Sequence, residues 1–193
     1  MRSRPDGASW RWPALALKVY NADAASFNVN AVLVSGANDA VLVDTGFTRA
    51  DAHRIAAMVL DSKKKLTTIY ISQADPDFYF GAAVLKQVFP DAKLIASAAT
   101  VKKIEATLAT KLAVWGPRMG ANPPVNPPLL EAKAGNMITL KGRPLEVRVL
   151  DDLIAKAANA AALIDAMKAA YPNAGLMVAL DIGAKVNKGE MKW

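Results

Sequence analysis

Between Val41 and Ile71 the chain reads strand, helix, strand, and that order limits its fold more than any other feature. Val41-Leu42-Val43 is a short apolar run that ends in Asp44-Thr45-Gly46. Thr48 is a good N-cap, with Asp51 three residues on as its acidic partner. Ala52, Ile55, Ala56, Val59 and Leu60 then fall on one helical face, so the pattern predicts an amphipathic helix over Thr48–Ser62. Leu66–Ile71 is apolar and β-branched, the composition of a core strand. Two strands joined through a helix pair in parallel with the helix packed across them. The fold class is therefore α/β (α+β).

The flanking segments fit around this unit. Ala14–Tyr20 alternates as a strand, and Phe27–Ser35 is a longer one. Gly36-Ala37-Asn38-Asp39 supplies a turn into Ala40–Val43 and so a hairpin. Tyr79–Val88 predicts a helix ended by Pro90, and Lys93–Ala98 a strand. Thr100 then caps a helix that carries Val101, Ile104, Leu108 and Leu112. Gly116–Pro128 holds five prolines and predicts an extended loop. Met137–Leu140 and Leu145–Leu150 predict a second hairpin around Lys141-Gly142-Arg143-Pro144. From Asp151 the character changes to an alanine-rich helix, Asp151–Tyr171, stopped by Pro172-Asn173-Ala174-Gly175. A last amphipathic piece spans Leu176–Val186. This divides the chain into a disordered tail (1–13), a main domain (14–150) and a helical segment (151–193) packing on it.

Composition removes several functions. At 193 residues and 53% hydrophobic the chain can bury a core. No apolar run reaches the length of a transmembrane helix, so no membrane partner is expected. The basic N-terminus is followed by too short an apolar stretch (Pro13–Leu17) for a signal peptide, which leaves the cytoplasm as the default compartment. There are no cysteines, hence no disulfides and no thiolate zinc site. The net charge of +7 is spread along the chain, and its one run, Lys63-Lys64-Lys65, reads as a solvated turn. Without a basic stripe interleaved with aromatics, no nucleic-acid partner is expected.

The stretch Ser72-Gln73-Ala74-Asp75-Pro76-Asp77-Phe78-Tyr79-Phe80-Gly81 leaves a core strand and leads into a helix. Here the chain resembles the metallo-β-lactamase superfamily, whose metal loop reads His-x-His-x-Asp-His after a strand. Aligned on the Asp, Gln73, Asp75 and Phe78 stand at the three His positions and only Asp77 is retained. The opening hairpin with Asp44-Thr45-Gly46, and the helix and strand from Phe80 to Ser97, follow in the family's order. The likeness covers roughly Ala14–Leu150. It implies an αββα sandwich, incomplete here, with C-terminal helices, because the strands and ligand loops of the family's second half are missing after Leu150.

Chemistry is the weaker half of the resemblance. Metal ions in the family's site would activate water, which requires three or more good ligands per ion. The only histidine, His53, lies inside the Thr48–Ser62 helix and is an ordinary helix residue. Gln73, Asp75 and Asp77 are thus vestigial ligands by family position, with Asp44 and Phe78 beside them as structural residues, and no cofactor is expected. The leading reading is a hydrolase-like protein with little or no activity. A first alternative is an active hydrolase in which Asp75 and Asp77 hold Mg²⁺ or Mn²⁺ weakly, or zinc, with Asp77 catalytic. A second is a binding or assembly module on the same scaffold. The bland role for Asp75 and Asp77 is to cap the helix starting near Phe78. An aspartic-protease reading of Asp44-Thr45-Gly46 fails on the helix that follows it. Finally, a sheet without its companion layer leaves an apolar face and an open edge, so the chain is expected to form a homodimer through that face or to be marginally stable.

Overall fold

The strand–helix–strand order builds the centre of a mixed six-stranded sheet. The structure is a computed structural model and describes residues 14–124, 128–135, 137–140, 143–146, 156–170, 185 and 188–190. The chain divides into two compact units, Met1–Glu146 and Val147–Trp193. In the first, β1 (Ala16–Asn21), β2 (Asn30–Ser35) and β3 (Asp39–Val43) form an antiparallel meander. Helix α1 (Arg49–Asp61) then crosses to β4 (Lys65–Ile71), which pairs parallel with β3. β5 (Lys93–Ser97) and β6 (Glu131–Lys133) continue the parallel half, giving the order β1-β2-β3-β4-β5-β6. Helices α2 (Pro76–Tyr79) and α3 (Ala82–Val88) lie between β4 and β5, and α4 (Ala98–Trp115) follows β5. Strands β7 (Met137–Leu140) and β8 (Arg143–Glu146) form a separate hairpin.

One face of the sheet carries the main core. Leu33, Leu42, Ile69, Ile71 and Leu94 from the strands pack with Ile55 and Val59 of α1, Leu85 of α3 and Ile104 of α4. On the other face, register places Leu17 and Val19 of β1 in rows with Val34 and Val32, then Val41 and Val43. Val41 is fully buried, whereas Leu17 and Val19 on the edge strand are 67% and 48% exposed. β7 packs against β3, with Leu140 over Gly36.

Helix α1 starts as its sequence dictates. Thr48 Oγ1 accepts the Asp51 N–H at 3.1 Å, and Asp51 Oδ2 accepts the Thr48 N–H at 3.1 Å, a complete capping box. Buried Asp51 also accepts from Tyr20 Oη (2.7 Å), Ser26 Oγ (2.6 Å) and Thr48 Oγ1 (2.7 Å). Burial pushes its pKa up, but these hydrogen bonds outweigh that and hold it below the usual carboxylate range. Thr48→Ala should lower stability by about 0.5–2 kcal/mol, while Thr48→Ser keeps most of it. Urea unfolding of both variants checks this, and equal losses would assign the cap's value to the methyl group instead.

Several expectations shift. Phe27 and Asn28 are not strand but sit at φ 58 and 53, closing a 3₁₀ turn over Ala24–Ser26 that Asp23 caps. Leu60 is exposed and Met58 takes the buried place, because Leu60 falls at the edge of the helical stripe. The helix expected at Tyr79–Val88 begins at Pro76 and breaks between α2 and α3. Ser97, not Thr100, caps α4, accepting the Thr100 N–H at 3.1 Å. Gly116–Met119 is a 3₁₀ turn rather than extended loop; Pro117 suits the start of such a turn, where no N–H is needed. β6 has no counterpart among the expected elements. β8 begins two residues before Leu145 and includes Pro144, tolerated in an edge strand of a two-stranded ladder; residues 147–150 lie outside the described residues.

In the second unit, α5 (Ala160–Ala170) starts after a break at 157–159, where Asn159 Oδ1 accepts the Ala162 N–H. One continuous helix over Asp151–Tyr171 is therefore corrected, since an Asx cap starts the helix afresh. The tail 1–13 and most of Leu176–Val186 lie outside the described residues.

Candidate functional site

The carboxyl ends of parallel strands are where α/β sheets place their sites. Here β3 ends in Asp44-Thr45-Gly46 and β4 in Ser72–Gly81, so the two motifs singled out in the sequence meet. Asp44 at φ 64 and Gly46 at φ 81 turn the chain out of β3. The Thr45 N–H and hydroxyl both donate to the Phe78 carbonyl, at 2.8 and 3.0 Å, and the Gly81 N–H donates to the Gly46 carbonyl at 3.1 Å. Backbone bonds thus zip the two loops together. Phe78 serves this junction through its carbonyl; its ring stands where the family pattern has a histidine.

Asp44 is 5% exposed, and Ser72 satisfies it on both oxygens: the N–H donates to Oδ1 at 2.8 Å and Oγ to Oδ2 at 2.7 Å. Burial nevertheless pushes its pKa up to about 7, and the charge of Asp77 adds to the rise. Asp77 is half-buried and is pushed up to about 6, by burial first and then by Asp75, while its own backbone N–H and Lys111 oppose the rise. Asp75 Oδ1 accepts from Lys111 Nζ at 3.2 Å, and the same ammonium donates to the Ala74 carbonyl. Tyr79, at the end of α2, is fully buried, and its hydroxyl has no partner among the described residues. Its pKa is raised by burial and by Asp75.

The capping role expected of Asp75 and Asp77 is not what the structure holds. Asp75 occupies the N-cap position of α2 but makes no side-chain cap bond. Pro76 has no N–H to offer, and the Phe78 N–H goes to the Asp75 carbonyl at 3.1 Å. With the first-turn donors already placed, the Asp75 carboxylate is left for Lys111, and Asp77 takes its own N–H.

The hard-metal site of the alternative reading does not fit these residues. Gln73 is exposed, Asp44 is spent on Ser72 and Asp75 on Lys111. Among the described residues no group of three or more His, Asp or Glu side chains is arranged to hold an ion. His53 is exposed on α1. Sequence reasoning missed two members of the site. Ser72 heads the quoted loop, and a hydroxyl at the end of a core strand opposite Asp44 is a readable signal. Lys111 lies 36 residues from Asp75, and nothing local in the sequence points to it.

No protein-family profile matches the chain, and no curated protein does. Among solved structures, a subclass B3 metallo-β-lactamase from a soil metagenome library is 22% identical, with a TM-score of 0.45 over 61% of this chain and 45% of that one. The chain is similar to metallo-β-lactamases. A metallo-β-lactamase family protein from Thermus thermophilus is 19% identical, with a TM-score of 0.45 over 68% and 50% of the two chains. A metallo-β-lactamase from Cronobacter sakazakii is 24% identical, with a TM-score of 0.47 over 70% and 50%. The chain spans about half the length of these proteins. No helix among the described residues is long and apolar enough to cross a membrane.

Proposed function

We propose that the protein is a metallo-β-lactamase-like scaffold without metal-dependent hydrolase activity, serving as a binding or assembly module. The observation that carries this is the internal commitment of the carboxylates: Asp44 to Ser72 on both oxygens and Asp75 to Lys111. An ion would have to break these bonds and gather further ligands, and no imidazole or thiolate is at hand. After dialysis the full chain should hold no stoichiometric zinc, and it should hydrolyse neither β-lactams nor simple esters with added zinc or manganese. Stoichiometric zinc or manganese that Asp77→Ala abolishes would overturn the reading. A second reading, Asp77 as a proton acceptor beside a weakly held hard ion, is favoured only by its position: half-buried, with a pKa of about 6. A Mn²⁺-dependent hydrolysis lost in Asp77→Asn would support it.

A further inference from the structure

We infer that Lys111 is a built-in cation, whose ammonium, carried on α4, holds the Ala74–Asp77 turn and balances the carboxylates gathered there. This rests on the metal-free reading above and names the group that supplies positive charge in its place. Lys111 Nζ donates both to the Ala74 carbonyl and to Asp75 Oδ1, and its side chain is only 18% exposed. A solvated surface pair contributes little, but an ammonium drawn this far from water needs fixed acceptors, and here it has a carbonyl and a carboxylate. Asp75 and Asp77 flank one proline, and Asp77 in turn acts on Asp44, so three acids share one neighbourhood. Lys111 is the cation that acts on Asp77 against this accumulation. Its place is also specific: Asp75 stands at the second ligand position of the loop, and Ala74 is the residue before it. The ammonium therefore binds the segment that carries the loop's second ligand position.

The test is urea unfolding of the full chain with and without millimolar MnCl₂, for wild type, K111R, K111M and the double variant K111M/D75N. Wild type and K111R should unfold at similar midpoints, indifferent to Mn²⁺. K111M should unfold at a lower midpoint that Mn²⁺ partly restores, because the carboxylates left uncompensated then have a cation to recruit. The double variant should lie above K111M and ignore Mn²⁺. A K111M midpoint equal to wild type, or one lowered with neither Mn²⁺ response nor relief by D75N, overturns the inference and leaves Lys111 a packing residue. Should K111M fail to fold, a folded K111M/D75N supports the inference and an unfolded one overturns it. A wild-type midpoint that rises with Mn²⁺ would instead overturn the metal-free reading itself.

Discussion

Gly81→Ala should be the most damaging added methyl among the described glycines, lowering stability by about 3 kcal/mol or more. A Cβ at Gly81 would stand 2.1 Å from the Thr45 carbonyl oxygen and 2.8 Å from the Ala52 Cβ. Neither neighbour is free to move. Thr45 is locked by two bonds to Phe78, and Ala52 sits in the capped first half of α1, fully buried. The loss arises from sterics alone, since φ at Gly81 is not in the left-handed region. Gly116→Ala is the matched control: nothing lies within 4 Å of its added Cβ, its φ is −51, and it should be neutral or slightly stabilising. Urea midpoints of the two variants decide the matter, and similar values would mean that the β3 exit and α3 are not in close contact.

Asp44→Asn should stabilise the protein above neutral pH and change little in mild acid. The Asp44 carboxyl titrates at about 7 in the fold, against about 3.9 in an unfolded chain. Between those values the folded state holds a proton that the unfolded state has released. Stability therefore falls as pH rises through this window, and above it the full cost of ionising a buried carboxyl is felt, about 2–4 kcal/mol. Asn has the same shape, tolerates the left-handed backbone, and can accept the Ser72 N–H while donating to Ser72 Oγ. Asp77, raised to about 6, works in the same direction, so the slope should shrink without vanishing. Unfolding followed from about pH 5 to about pH 8 measures it. A wild type that grows steadily more stable across that range would contradict the buried-acid account.

Local signals are legible wherever the chain satisfies its own backbone nearby. The capping box at Thr48 and Asp51, the apolar stripe of α1 and the β3–β4 crossover all follow from residues within a few positions of one another. Short or distant partners are not legible. β6 is three residues long and owes its existence to the edge of β5, with no apolar alternation of its own. Phe27 reads as a strand residue because it is aromatic, yet tertiary contacts with Phe47 and Trp115, at centroid distances of 5.2 and 5.5 Å, hold it in a turn. In the candidate site, the residues of the loop follow from the family pattern and Ser72 leaves a signal at the strand end, while the distant partner Lys111 leaves none. Polar pairing across the fold leaves no periodic trace, and a capping role is the natural guess for an aspartate before a helix until the first-turn donors are accounted for.

Asp51 joins three pieces of the chain at one carboxylate. Its carboxylate ties Tyr20 on β1, Ser26 in the following turn and Thr48 at the head of α1. An edge strand with exposed side chains would ordinarily fray on its own and exchange its amide hydrogens early. Anchored in this way, the end of β1, the 3₁₀ turn and the first turn of α1 should open as one unit, which a common rate of amide exchange would show. Because the folded pKa of Asp51 is lowered, the tie holds throughout the neutral range and loosens only as pH falls through that depressed value. The β1 edge of the sheet is thereby kept in place by an anion buried on the helical side.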